Sequence, residues 1–189
     1  MGRWEPDAEG RFRAAAMELF AERGYEQTTV ADIAERAGLT RRTFFRYFAD
    51  KREVLFNGSA RLQGMMVDAL QAAPAQASAI EAIAAALDAT AGYFGANREF
   101  ARQRSAVIAA HPDLHERELI KLAKLSAALA EALRGRGIPE PDASLAAEAG
   151  IAVFRVAFGI WVGKSERRSF GKIVAESLGR LKAIAAAGG

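Results

Sequence analysis

An all-α fold is predicted by three features of this sequence. Apolar residues recur at three- and four-residue spacing along most of the chain, alanine is abundant while β-branched alternation is nearly absent, and only five prolines interrupt 189 residues. Periodic apolar stripes bury one side of a helix, and a sheet has little to build from here. The length supports a real core and permits one or two small domains, with about nine helices expected.

Taken in order, the first helix is expected over residues 7–23, where Phe12, Ala15, Ala16, Leu19 and Phe20 form a stripe just after Pro6. Thr28 and Thr29 offer hydroxyl caps to a short second helix with a buried face at Val30, Ile33, Ala34 and Ala37, and Gly38 permits the left-handed backbone that ends it. Thr40 caps a third over residues 41–47, dry at Phe44 and Phe48 and wet at Arg41, Arg42, Thr43, Phe45 and Arg46. A fourth is expected over residues 51–72, ended by Pro74, a fifth over 78–95 and a sixth over 98–110 up to His111-Pro112. The seventh spans 113–134 on Leu122, Leu125, Leu129 and Leu133. A loop with Gly135, Gly137, Pro139 and Pro141 precedes the eighth, 142–163, and the ninth covers 167–187.

Two short helices around a glycine turn, the second rich in arginine, suit insertion into a DNA major groove. Residues 39–52 carry Arg41, Arg42, Arg46, Lys51 and Arg52 against Asp50 alone, so the positive field is local although the net charge is only +3. Arginine supplies the planar fork that matches guanine O6 and N7.

The run Leu19-Phe20, Gly24, Thr28-Thr29-Val30, Ile33-Ala34, Ala37-Gly38, Thr43-Phe44-Phe45, Tyr47-Phe48 and Lys51, extending from Ala15 to Leu55, resembles the DNA-binding domain of the TetR family of transcriptional repressors. That resemblance covers about the first third of the chain. It implies a three-helix DNA-binding domain at residues 1–50 and a helical ligand-binding and dimerisation domain at 51–189. By position it implies base or nearby phosphate contacts from Arg41, Arg42, Thr43, Phe45 and Arg46, and backbone clamping by Thr28, Thr29, Thr40, Tyr47 and Lys51. The segment Arg41–Phe48 also resembles the mycofactocin-associated regulators of the family, which implies fatty acyl-CoA as effector.

Residues 151–162, IAVFRVAFGIWV, are apolar on every side at helical pitch and need cover all round, more than one small chain offers. A second subunit is therefore expected at Val156, Gly159 and Gly163, with Val174, Leu178 and Leu181 of the last helix. The family resemblance implies the same homodimer, a four-helix contact. Arg155, inside that run, needs a partner if buried; Glu148 two turns earlier or a ligand anion could supply it. An adaptable apolar pocket is expected from Met66, Leu70, Phe94, Val107, Leu125 and Phe154, with Arg104 for an anionic group of a small apolar, amphiphilic or aromatic effector.

No cysteine is present, and His111 and His115, four apart, are split by Pro112 with no cluster to complete a metal site. No cofactor and no enzymatic activity are expected, since nucleophile elbow, phosphate-cradling loop and thiol are all missing from the sequence. The N-terminal residues lack a signal-peptide core and no apolar run is read as membrane-spanning, so the cytoplasm is the expected compartment. Two functions stay open: a repressor released from a palindromic operator by an effector, and a DNA-binding organiser of the same fold without a switch.

Overall fold

The computed structural model describes residues 7–94 and 97–187. Among these the chain is all-helical, with ten helices where about nine were expected. They are α1 (Ala8–Arg23), α2 (Val30–Arg36), α3 (Arg41–Tyr47), α4 (Glu53–Phe56), α5 (Ser59–Gln71), α6 (Ala79–Phe94), α7 (Arg98–Ala110), α8 (Pro112–Gly135), α9 (Asp142–Trp161) and α10 (Phe170–Ala186). The extra helix arises because the expected fourth helix breaks into α4 and α5 at Asn57-Gly58, where glycine weakens helical continuity. Pro112 opens α8, one residue earlier than anticipated, because the first helical position needs no N–H donor.

The chain forms two compact units. One contains the residues up to Gly58 together with Gln103–His115, so it reaches past Asp50, where the sequence suggested a boundary, and takes in parts of α7 and α8. Phe12, Phe44, Phe48 and Phe56 are fully buried aromatics there, with Phe12 edge-on to Phe44 at 5.2 Å between centroids and to Phe48 at 6.1 Å. Ile33, Leu19 and Leu114 are buried in the same unit.

The second unit runs over Ser59–Arg102 and from Glu116 onward. Its core draws Met66 and Leu70 from α5, Ile83 and Leu87 from α6, Leu125, Leu129 and Leu133 from α8, Ile151 and Phe154 from α9, and Phe170, Ile173 and Val174 from α10. Beside Gly150 of α9 the Ile83 Cγ2 lies 2.7 Å from where a Cβ would stand, so only glycine admits this approach of α6. Arg136, just past α8, donates to the carbonyls of Gln71 at 3.1 Å and Ala73 at 3.0 Å, satisfying acceptors left open where α5 ends.

Contrary to the sequence reading, α9 is long and apolar enough to cross a membrane by length and composition. One side of it is a core face, since Ala147, Ile151, Phe154 and Trp161 are buried. Leu145, Val156 and Ile160 on its other side are exposed.

Gly150→Val is expected to overpack the α6–α9 contact and cost about 1–3 kcal/mol, read as a lower urea midpoint. In an Ile83→Ala background the same change should cost less, because the obstructing methyl groups are gone.

Candidate nucleic-acid interface

The α2–α3 unit is built on two threonine caps. The Thr29 hydroxyl accepts from the Asp32 N–H at 3.2 Å, while the Asp32 carboxylate accepts from the Thr29 N–H at 2.8 Å and its hydroxyl at 2.6 Å. These bonds from Thr29 hold the Asp32 carboxyl below its usual pKa range. Thr40 caps α3 in the same way, its hydroxyl accepting from the Thr43 N–H at 3.1 Å. Between the caps, Gly38 adopts φ 63° and its N–H reaches Glu35 O at 2.9 Å, closing α2 before the chain turns. Arg11 on α1 donates to Ala37 O at 2.5 Å. Sequence reasoning missed this clamp: a carbonyl acceptor leaves no signature in residue type, and the two residues lie 26 apart.

With Phe44 and Phe48 buried, the opposite side of α3 carries Arg41, Arg42, Phe45 and Arg46 outward, Phe45 being 52% exposed. Arg41 and Arg42 have no hydrogen bond or ion pair among the described residues. Arg46 stays close to its neighbour, donating to the Tyr47 hydroxyl at 3.2 Å with its guanidinium 5.0 Å from the ring centroid. Nearby acids are engaged elsewhere. Glu18 and Glu22 bind Arg36 at 3.2 and 2.7 Å, and Asp50 binds Arg52 at 2.9 Å. The surface of α3 is thus left cationic, with one bulky apolar side chain among the arginines.

Two residues expected at this surface are occupied inside the fold. Thr28 is 1% exposed and its hydroxyl donates to Gly24 O at 2.9 Å. The Lys51 ammonium donates to Tyr25 O at 2.7 Å and sits 4.0 Å from the Tyr25 ring centroid; burial pushes its pKa below the ordinary lysine value. His111 packs tilted against the same ring at 4.9 Å between centroids, with its Nδ1 3.5 Å from Glu26, so it serves the packing of this unit.

The residues expected to line a pocket are divided between the two units. Met66, Leu70, Leu125 and Phe154 are packed into the second unit's core, and Phe94 meets Phe154, Phe158, Trp161 and Phe170 at 5.0–5.9 Å. Arg104 and Val107 belong to the other unit, where the Arg104 Nε donates to Leu55 O at 2.6 Å and its guanidinium lies over Phe56. Two clefts of about 270 and 340 Å³ on the second unit are lined by other residues, including Ser126, Arg134 and Glu148 in one and Arg98, Trp161 and Arg167 in the other.

Of the residues expected to meet a second subunit, Val156 and Gly159 are exposed and Gly163 and Leu181 are half-buried. Val174 and Leu178 are not on that surface, because the Phe170–Leu178 stripe packs into the subunit's own core. Arg155 is exposed rather than buried, and Glu148 accepts instead from the Ser126 hydroxyl at 2.7 Å.

This capped, arginine-bearing helix-turn-helix lies within residues 12–57, which match the sequence profile of bacterial regulatory proteins of the tetR family. Residues 77–186, more than half of the chain, match the profile of the MftR C-terminal domain. The chain belongs to the TetR family of transcriptional regulators. Within the family it is 40% identical over 77 residues to the regulator TcmR of Streptomyces glaucescens, covering 41% of this chain and 34% of that protein. It is 44% identical over 55 residues to the mycofactocin biosynthesis regulator MftR of Mycobacterium tuberculosis, covering 27% and 28%. The aligned segments thus span about a third of these relatives' length. Among solved structures, the fold is similar to a Thermus thermophilus TetR-family repressor, FadR, in complex with lauroyl-CoA, with a TM-score of 0.56 at 24% identity over 90% of this chain and 91% of that one.

Replacing Thr40 with alanine removes the cap of α3 and is expected to cost about 0.5–2 kcal/mol in chemical denaturation, whereas Thr40→Asn should retain most of the stability. Equal midpoints for Thr40→Ala and the unaltered chain would show that the cap does not hold α3.

Proposed function

We propose that this chain is a homodimeric repressor that reads a palindromic operator with α3 and is released by a small amphiphilic effector. The observation that carries the reading is the pair of unpaired guanidiniums at Arg41 and Arg42 beside exposed Phe45, on a helix oriented by buried Phe44 and Phe48. Arginine forks read guanine edges and an apolar ring suits a thymine methyl group. Thr29, Thr40, Thr43, Arg46 and Tyr47 are placed at the helix starts and the end of α3, where hydroxyls and cations clamp phosphates. The residues up to Gly58 then act as the reading head, and the helices beyond it carry effector binding and dimerisation.

The dimer reading is supported by exposed Leu145, Val156 and Ile160 on α9 and Ile184 on α10, apolar side chains that a monomer leaves in water. For the effector, the match to the MftR C-terminal domain and the lauroyl-CoA held by a protein of similar fold favour a fatty acyl-CoA thioester. Such an effector shifts the DNA-binding equilibrium only if it prefers the state in which the reading heads are misplaced.

Arg42→Ala is expected to weaken operator binding by about 1–3 kcal/mol while leaving a scrambled duplex nearly unaffected. Tyr47→Phe should weaken both duplexes alike, as a phosphate contact does. Salt titrations on both duplexes separate the two; equal losses for Arg42→Ala would remove it from the base readers.

Lauroyl-CoA is expected to raise the melting temperature and lower operator affinity with a single concentration dependence. Acyl-CoA thioesters that stabilise the protein but never release DNA would instead favour the switchless organiser.

A further inference from the structure

The connection between α9 and α10 borders a cleft whose positive charge the chain itself does not balance. The cleft, of about 340 Å³, lies among Ala91 of α6, Arg98 of α7, Trp161 of α9, Arg167 and Arg168 of the connection, and the first turn of α10. Arg98 is half-buried there. Its guanidinium donates to Glu166 O at 2.6 Å and to Arg168 O, and it lies 5.2 Å from the Trp161 ring centroid. Carbonyl oxygens and an indole face orient a cation, but none of them carries the opposite charge. Arg167 engages only its backbone N–H, on Glu166 Oε1 at 2.8 Å, and its guanidinium has no partner among the described residues. The acids on these elements are held by other cations or lie off the cleft. Glu166 and Glu176 both bind Arg168, and Glu99 binds Arg102 at 2.6 Å. Asp88, a turn before Ala91 on α6, does not line the cleft. Lys164 on the connection and Lys172 on the first turn of α10 add to the positive field.

We infer that this cleft receives a phosphate group of a nucleotide-bearing effector, with Arg98 as the fixed cation and Arg167 as the donor that the chain leaves available. Two uncompensated guanidiniums at one cleft call for a dianion, which a phosphate ester supplies near neutral pH and a lone carboxylate does not. The planar fork of Arg167 matches two phosphate oxygens at once. The cleft also exceeds what the bare ion needs, since it falls within the range of small-ligand sites, about 300–1,000 Å³. Trp161 and Phe170 are almost wholly buried, so the cleft offers charge and little apolar surface. It therefore suits the charged end of an amphiphile and not its chain. The inference rests on the acyl-CoA reading above, in which one end of the effector carries phosphates and the other an acyl chain, and it adds which residues meet the phosphates.

Isothermal titration calorimetry on the full chain at about 0.1 M salt, where charges are only partly screened, tests this with three probes. They are lauroyl-CoA, the lauroyl thioester of N-acetylcysteamine, which lacks the nucleotide, and free CoA, which lacks the chain. Arg167→Glu is expected to weaken lauroyl-CoA at least about tenfold and to abolish the binding of free CoA, because a charge-assisted contact becomes a repulsion. The nucleotide-free thioester should stay within about twofold, as a ligand that does not touch the site. Arg167→Lys keeps the charge without the fork and should lose less than Arg167→Glu. The side chain is exposed, so the melting temperature of each variant without ligand should match the unaltered chain. Lauroyl-CoA bound equally by the unaltered chain and by Arg167→Glu would overturn the cleft and leave the effector reading standing. Free CoA bound through Arg167 while neither thioester shifts operator affinity would keep the cleft and sink the acyl-CoA switch. Binding of none of the probes would remove both. Loss of operator affinity in Arg167→Glu without effector would assign this arginine to DNA phosphates and end the inference.

Discussion

The burial of Phe44 and Phe48 against Phe12 decides what the first unit can do. Both rings are almost wholly removed from water, and the edge-on contact to Phe12 gives α3 one rotational setting against α1. A seven-residue helix has no stability of its own, so its orientation is borrowed from that packing and from the Thr40 cap. Arg41, Arg42 and Phe45 point outward because the residues between them cannot. Gly38 and the Arg11 clamp on Ala37 O fix where α2 stops, and hence where α3 begins.

Electrostatics reinforces this geometry by subtraction. Arg36 gathers Glu18 and Glu22, Thr29 takes Asp32, and Arg52 takes Asp50, so these four acids are engaged away from α3. Exposed pairs of this kind add little stability. Their effect is to leave the guanidiniums of α3 without intramolecular competitors. A cationic surface with a fixed apolar residue suits both the salt-dependent and the sequence-dependent parts of DNA recognition.

The second unit has the opposite character. Its interior is filled by side chains from several helices, and the rings of Phe94, Phe154, Phe158, Trp161 and Phe170 lie in mutual contact. Arg98 donates to Glu166 O at 2.6 Å and Arg102 to Val162 O at 3.0 Å, fastening the connection between α9 and α10 to the start of α7. Apolar side chains of α9 and the charge of Arg155 are left to the outside.

The sequence by itself determined the all-helical class, the helix-turn-helix and the surface of α3, because these depend on local periodicity, hydroxyl caps and a glycine stop within a few residues of one another. Arg41, Arg42 and Phe45 were legible as outward residues from the positions of Phe44 and Phe48 alone. The retention of Thr28 and Lys51 inside the first unit, the use of Arg104 on Leu55 O and the burial of Val174 and Leu178 were decided only by tertiary structure. In each case the deciding partner lies on another element or is a backbone carbonyl, and residue type does not announce either. The apolar residues 151–162 show the division most plainly. Periodicity required cover on every side of that helix, but only packing could show that α6 and α10 cover one side and that Arg155 lies on the other.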